Sequence, residues 1–370
     1  MIGFLYTLIF FLIFSLIIQN DYGKNNRLVV LINAGLNFLL LFIIIGSSTF
    51  NNDWVAYEEL FDDLKPTYDL LYLISFKVFR FLNLTFLDFY LFNQIIIYLL
   101  LLFFITRFTS KYVVLVVLAV LVLAGPNLSI LIRYYTAFAF FLVSIYNLKV
   151  KYNKFTGYVL LGFAFISHFG TIILLGLFVS YKYFNFKKTI KPILVIALAL
   201  WFFKDVLFRS LIFLGVGSFS IYVEEEASLK GGVLAALPYL PWMFFVYRQH
   251  RKLLKKNETI KKDKEYIFLY QLSVFPFYII LLGLFTQIIL HRYVEPFIIV
   301  WCTFLCYSLR YEEKSVNRLF AGFRVLLLII ISLYFKYFLP LALIGDSEWL
   351  KHYLQILNSN RFEIFKFRDF

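Results

Sequence analysis

Metal-ligating and redox side chains are scarce in this chain: two cysteines and four histidines in 370 residues. No CxxC or HxxxH spacing occurs, which leaves out the usual patterns of zinc and dithiol sites. Cys302 and Cys306 lie four apart in an apolar run, on one helix face, where geometry disfavours a bridge; they read as buried, inert thiols. Charge is scarce too. Asp, Glu, Lys and Arg make up 16% of the chain, against about 25% in a soluble domain. Hydrophobic residues make up 62%, against about 45–50%, which excludes a soluble domain of any size. There is no internal repeat and no low-complexity linker. The first apolar run, 2–18, lacks a basic leader and a small-residue cleavage motif, so it reads as a retained helix and not a signal peptide.

What the chain does have is a series of apolar runs of membrane-spanning length, roughly 17–25 residues, or fewer where a hairpin is buried among neighbours. They fall at about 2–19, 28–45, 87–105, 112–125, 129–147, 155–167, 168–182, 191–208, 232–248, 266–285, 292–309 and 319–339. This predicts an all-α, polytopic integral membrane protein of about 11–12 transmembrane helices, the whole of 1–370 forming one transmembrane domain. The stretch 155–182 reads either as one long tilted helix or as two short helices turning near Ser167-His168-Phe169-Gly170, which would put the basic residues flanking both ends on one side. The stretch 127–148 reads as one spanning helix with Arg133 about four residues in from one end. A charge that deep costs about 2.5–3.5 kcal/mol on insertion scales, so it snorkels, is paired, or is used.

The net charge of +14 follows the positive-inside rule and does not point to nucleic acid. The basic loop 248–265 is expected in the cytoplasm. Counting spans outwards from it places roughly 22 of the 36 Lys and Arg in cytoplasmic loops and both termini outside. The outer loop 46–86 then begins with an acidic stretch (Asp53, Glu58, Glu59, Asp62, Asp63, Asp69). It continues into 68–83, where Lys77, Arg80 and Asn83 recur on an apolar helix expected to lie on the membrane surface. A second outer loop, 209–232, carries Glu224, Glu225 and Glu226, and the tail 340–370 is expected to form a short outer-face helix.

With that parity, Asp53, Arg133, His168, His291 and Arg292 share one leaflet, the requirement for a single outward-facing site. Each also has a plainer reading. Arg133 can snorkel beside Tyr134 and Tyr135, and His168 can bond a backbone carbonyl. His291-Arg292 can anchor a span at the interface, and Asp53 can cap a helix beginning at Trp54. Together they have a coherent chemistry. Two arginines can grip a pyrophosphate and stabilise it as it leaves. A histidine or carboxylate nearby can take a proton from a sugar hydroxyl. The 48 Phe and 27 Tyr suit polyprenyl and sugar faces, though most must face lipid or core.

Several stretches resemble the EpsG-like, Wzy-type membrane polymerases of bacterial exopolysaccharide, capsule and O-antigen synthesis. GSSTFNNDWVAYEELF is similar to that family's first-loop signature, at Gly46, Asp53, Tyr57 and Phe61. IRYYTAFAFFLVSIYNLKVKYNKF resembles its Arg-x-x-x-Ala helix and basic turn, at Arg133 and Ala137, with Tyr134 where a glutamine commonly stands. GFAFISHFGTIILLGLF resembles the following hairpin, at Ala164, His168 and Gly170, and HRYVEPF a later basic motif, at Arg292 and Tyr293.

The resemblance implies a GT-C-like fold and a glycosyltransferase at the outer face of the bacterial cytoplasmic membrane. Its donor and acceptor would be undecaprenyl-diphosphate-linked glycans, and a chain-length regulator and a flippase are possible partners. Arg133 and Arg292 would hold the donor diphosphate, and His168 or Asp53 would be the base, His168 slightly ahead because imidazole titrates near neutral pH. Tyr57, His291 and Tyr293 would complete the substrate site, and no metal or other cofactor is expected. Two rivals remain at this point: a flippase for the same lipid-linked units and an outer-face acyltransferase.

Overall fold

Long apolar runs without two-residue alternation fold as helices, and every regular element among the described residues is helical. In this computed structural model, the described residues are 27–48, 53–64, 69–109, 112–171, 173–174, 195, 202–203, 229–256, 258–283, 287–312, 315–345 and 347–359. The expected spans 2–19 and 191–208, the second half of the 155–182 pair and the loop 209–232 lie wholly or mostly outside them.

The first helix among the described residues, α1 (Arg27–Leu41), ends in a π turn, Phe42–Gly46. Two short helices follow, α2 (Trp54–Asp63) and α3 (Leu70–Phe81), then the long α4 (Phe86–Phe108), α5 (Val113–Ile130), α6 (Ile132–Tyr146) and α7 (Lys154–Ser167). After the undescribed region come α8 (Leu229–Ala236), α9 (Leu240–Lys256), α10 (Lys264–Val274), α11 (Pro276–Gly283), α12 (Gln287–Tyr293) and α13 (Ile298–Ser308). The last two among the described residues are α14, which runs from Ser315–Leu333 through a π turn into Leu339–Ile344, and α15 (Glu348–Asn358).

Phe86–Phe108, Val113–Ile130 and Gly322–Ile344 are long and apolar enough to cross a membrane. The outward faces say the same. Leu28, Ile32, Leu36 and Leu39 on α1, Phe92, Ile95, Leu99 and Phe103 on α4, and Phe323, Leu327, Ile330 and Tyr334 on α14 form exposed apolar stripes at helical spacing. In water each side chain would forgo about 1.5–3 kcal/mol of burial, so these faces belong to lipid. The chain is an all-α membrane protein.

Helices α6 and α13 form the centre. Every residue of α13 is buried, and so are all but two of α6, Arg133 and Phe140. The Ser144 hydroxyl on α6 donates to the Gly157 carbonyl on α7 at 2.7 Å. A Cβ on Gly157 would meet Leu148 at 2.5 Å, so glycine sets how closely these segments approach.

One expectation needs correction. The stretch 127–148 is two helices, because Leu131 leaves the helical region (φ −89°, ψ 50°) between α5 and α6. Side chains of α4 cover carbonyls ahead of the break: Gln94 Nε2 donates to Leu128 O and the Tyr90 hydroxyl to Ser129 O, each at 3.3 Å. Arg133 consequently lies in the first turn of α6, not four residues into a helix.

α3 buries Tyr72 and Phe76 in an aromatic cluster with Tyr57, Phe61, Phe86, Phe89 and Tyr90, while Leu70, Ile74, Val78 and Phe81 stay exposed. α7 ends at Ser167, where the turn was expected, and α15 is the helix expected in the tail. Cys302 and Cys306 are buried free thiols.

Candidate functional site

Three helix ends meet at one end of the bundle: the start of α3, the start of α6 and the end of α7. Asp69, just before α3, is at their junction. Its carboxylate is 5% exposed and accepts from Arg133 Nη1 at 2.7 Å. His168, which leaves α7 in extended conformation (φ −157°, ψ 117°), turns its Nδ1 to the same carboxylate at 3.4 Å. The imidazole therefore faces a carboxylate and not a backbone carbonyl.

Arg133 is held from a second side by α2. Its Nε donates to the Tyr57 hydroxyl at 3.2 Å, and the guanidinium carbon lies 4.8 Å from the Tyr57 ring centroid. The side chain keeps 27% of its surface exposed, so it is anchored yet open on one side. Snorkelling alone does not describe it. Beneath it a neutral network fixes α6 to α3 and α4: the Tyr72 hydroxyl lies 3.1 Å from Thr136 Oγ1, to which Asn93 Nδ2 donates at 2.9 Å.

Asp53 stands at the residue before α2, as its cap position predicts, but its side chain makes no capping bond. Its carboxylate instead bonds the Tyr57 hydroxyl and lies in the fields of Arg133 and Arg292. Burial pushes its pKa above the ordinary aspartate value, while the two arginines and the Tyr57 bond hold it back. The Tyr57 hydroxyl is likewise pushed up by burial, against the pull of Arg133.

From the late part of the chain, α12 brings Arg292 and Tyr293. A Cβ on Gly170 would sit 2.7 Å from the Tyr293 hydroxyl and 2.8 Å from His168 Nε2, so only glycine lets these two side chains approach the 169–171 turn together. The Tyr134 ring meets both edge-on, with centroids 5.8 Å from His168 and 5.4 Å from Tyr293.

The structure thus brings together Asp53, Tyr57, Arg133, His168, Arg292 and Tyr293, and it adds Asp69 and Tyr134. His291 points elsewhere. Its Nδ1 lies 3.5 Å from Glu295 Oε2. Glu295, on the turn after α12, also accepts from Asn127 Nδ2 at 2.8 Å, the Tyr239 hydroxyl at 2.7 Å and Lys336 Nζ at 2.8 Å. In this second cluster Asn127, Tyr239, Glu295 and Lys336 are buried, and His291 is half-buried. Asp69 could be noticed in the sequence only as one acid among six, and the Glu295–Lys336 pair only as two charges inside apolar segments. The latter is the stronger signal.

Chemically, the open cluster offers two guanidinium groups for an anion, two ionisable bases and an aromatic wall. The family model of the EpsG family matches residues 31–352. No curated protein and no solved structure matches the chain.

Proposed function

The chain belongs to the EpsG family, a family of Wzy-type polysaccharide polymerases, and from that premise we propose a glycosyl transfer at the Arg133 end of the bundle. The donor is a growing glycan on undecaprenyl diphosphate, and the acceptor is the terminal hydroxyl of a lipid-linked repeat unit at the outer face of the cytoplasmic membrane. The acceptor oxygen attacks the anomeric carbon, the bond to the diphosphate oxygen breaks, and the diphosphate leaves with the electron pair. The hydroxyl proton passes to a base.

The observation that carries this reading is the shared neighbourhood of Asp53, Arg133 and Arg292, with His168 joined to Arg133 through Asp69. Arg133 and Arg292 stabilise the charge that develops on the leaving diphosphate. With Nδ1 protonated, His168 donates to Asp69 and presents Nε2 as a proton acceptor. Asp53 is the other available base. Tyr57 positions Arg133 and Asp53 at once. The gathering of these groups at one end favours a transferase over a flippase, which needs polar groups along a path between leaflets.

The reading is tested by incubating the purified full chain with lipid-linked repeats and measuring glycan length. Long polymer is expected, and its absence together with transfer of an acyl group would replace this reading with the acyltransferase. The outer-face placement is tested separately with single cysteines. Asn52→Cys and Gly231→Cys should react with an impermeant thiol reagent on intact cells, and Asn257→Cys only after the membrane is breached. The reverse pattern would move the site to the cytoplasm and sink the mechanism.

A further inference from the structure

At the opposite end of α13 and α14 from Glu295 and Lys336 lies a cavity of about 380 Å³ that the proposed transfer does not use. Its basic wall is Arg248 and Lys252 from the second half of α9 and Arg324 from near the start of α14. Arg324 is twelve residues before Lys336, about 18 Å along the helix. This is the end that the positive-inside pattern assigns to the cytoplasm.

The three cations are not equivalent. Lys252 is neutralised by the buried Glu312 carboxylate, which Gln249 Nε2 also approaches at 3.2 Å. Arg248 and Arg324 are exposed and, among the described residues, have no hydrogen-bonded or ionic partner. Two guanidinium groups on different helices therefore face one cavity with net positive charge. Its floor is apolar, formed by Leu305, Val325 and Leu328. Beside Arg324, Phe323 and Leu327 are exposed on the lipid-facing stripe of α14. The cavity thus meets the membrane where apolar surface gives way to charge, the depth of a lipid headgroup. Its volume lies within the range of about 300–1,000 Å³ typical of small-molecule sites.

We propose that this cavity binds the phosphate of an anionic phospholipid of the adjoining leaflet, with Arg248 and Arg324 as its ligands and the acyl chains lying along the α14 stripe. Basic pockets between membrane helices suit such headgroups because the anion gains paired donors while its tails remain in hydrocarbon. The inference does not depend on the polymerase reading.

The test is a lipid titration of the purified full chain by native mass spectrometry. The probes are dioleoylphosphatidylglycerol, dioleoylphosphatidylcholine and inorganic phosphate. Phosphatidylglycerol should bind more tightly than phosphatidylcholine by about fivefold per arginine, roughly 25-fold for the pair. The preference should vanish in Arg248→Gln/Arg324→Gln and persist in Lys261→Gln/Lys262→Gln, which removes two exposed charges outside the cavity. Arg324→Gln alone, at an exposed position whose loss leaves packing intact, should lose about fivefold. It carries the test if the double variant does not fold. Equal lipid preference in the cavity and control variants would overturn the proposal. Displacement of phosphatidylglycerol by millimolar inorganic phosphate, with the same dependence on Arg248 and Arg324, would overturn the lipid source and leave a soluble phosphate ligand.

Discussion

Two carboxylate–cation pairs lie near each other at one end of this bundle and are built for different work. Glu295 and Lys336 are sealed: both are buried, and Asn127, Tyr239 and His291 crowd the same carboxylate. Asp69 and Arg133 are half-open: the carboxylate is buried, but the guanidinium keeps a solvent-facing side. A sealed pair has no room for a ligand and ties α5, the turn between α8 and α9, α12 and α14 together. An open pair presents its cation to an arriving anion while the carboxylate holds it in place. The same two chemical groups thus give a structural clamp in one setting and a binding group in the other, and the difference is access to water.

Breaking the sealed pair should have the largest effect. Lys336→Met leaves the Glu295 carboxylate buried without its cation, which costs about 3–5 kcal/mol. Thermal unfolding in detergent should show a large drop or little folded protein. Glu295→Leu/Lys336→Met, which removes both charges, should cost less than Lys336→Met alone. If the single replacement is tolerated as well as the double, the pair is not a clamp.

The open pair should behave oppositely. Arg133→Lys keeps a cation opposite Asp69, so the protein should accumulate normally, but it cannot reproduce a bidentate grip on phosphate or the stack on Tyr57. Polymer formation on purified lipid-linked repeats should fall roughly 100- to 1,000-fold, with Arg133→Ala no better. Near-normal chain length from the lysine variant would return Arg133 to an anchoring role and erase the contrast between the pairs.

Much of this architecture was legible because apolar runs of span length have few alternatives to helix, and α4, α5 and α14 sit close to their expected places. His168 and Arg133 stood out as rare polar groups in apolar surroundings. Asp69 did not, because it follows five other acids in a loop and its partner is 64 residues away. Local pattern carries no information about such a pairing. The break at Leu131 was equally hidden. The run through it is apolar, and the bonds that cover the carbonyls before it come from Tyr90 and Gln94 on another helix. In the sequence Glu295 stands inside HRYVEPF, an interfacial opening, and its buried partner Lys336 lies 41 residues on.

Asp69 sharpens the comparison at the next level. Asp69→Asn keeps the size of the side chain and removes the charge shared by Arg133 and His168. Losing it loosens two groups that the transfer needs in place, so the turnover rate should fall about 10- to 100-fold, while stability falls by about 1.5–3 kcal/mol at most, less than in Lys336→Met. A large loss of stability instead would make Asp69–Arg133 a second structural clamp.

The smallest effect is expected at Tyr57, and it separates the two bases. Tyr57→Phe keeps the ring beneath Arg133 but removes the hydroxyl that accepts from Arg133 Nε and bonds Asp53. One such bond contributes about 1 kcal/mol, so kcat/KM should fall only about fivefold at neutral pH. The pH profile is more informative. Burial already raises the Asp53 pKa, and the Tyr57 bond is among the groups holding it down, so removing the hydroxyl raises it further. A carboxylate base works when deprotonated, and activity falls as pH drops through its pKa. If Asp53 is the base, the acid limb of kcat/KM must therefore move to higher pH in Tyr57→Phe. If His168 is the base, the Asp69–His168 contact is intact in this variant and the limb should stay in place. A fall as deep as that of Arg133→Lys would show instead that the Tyr57 hydroxyl itself takes part in the transfer.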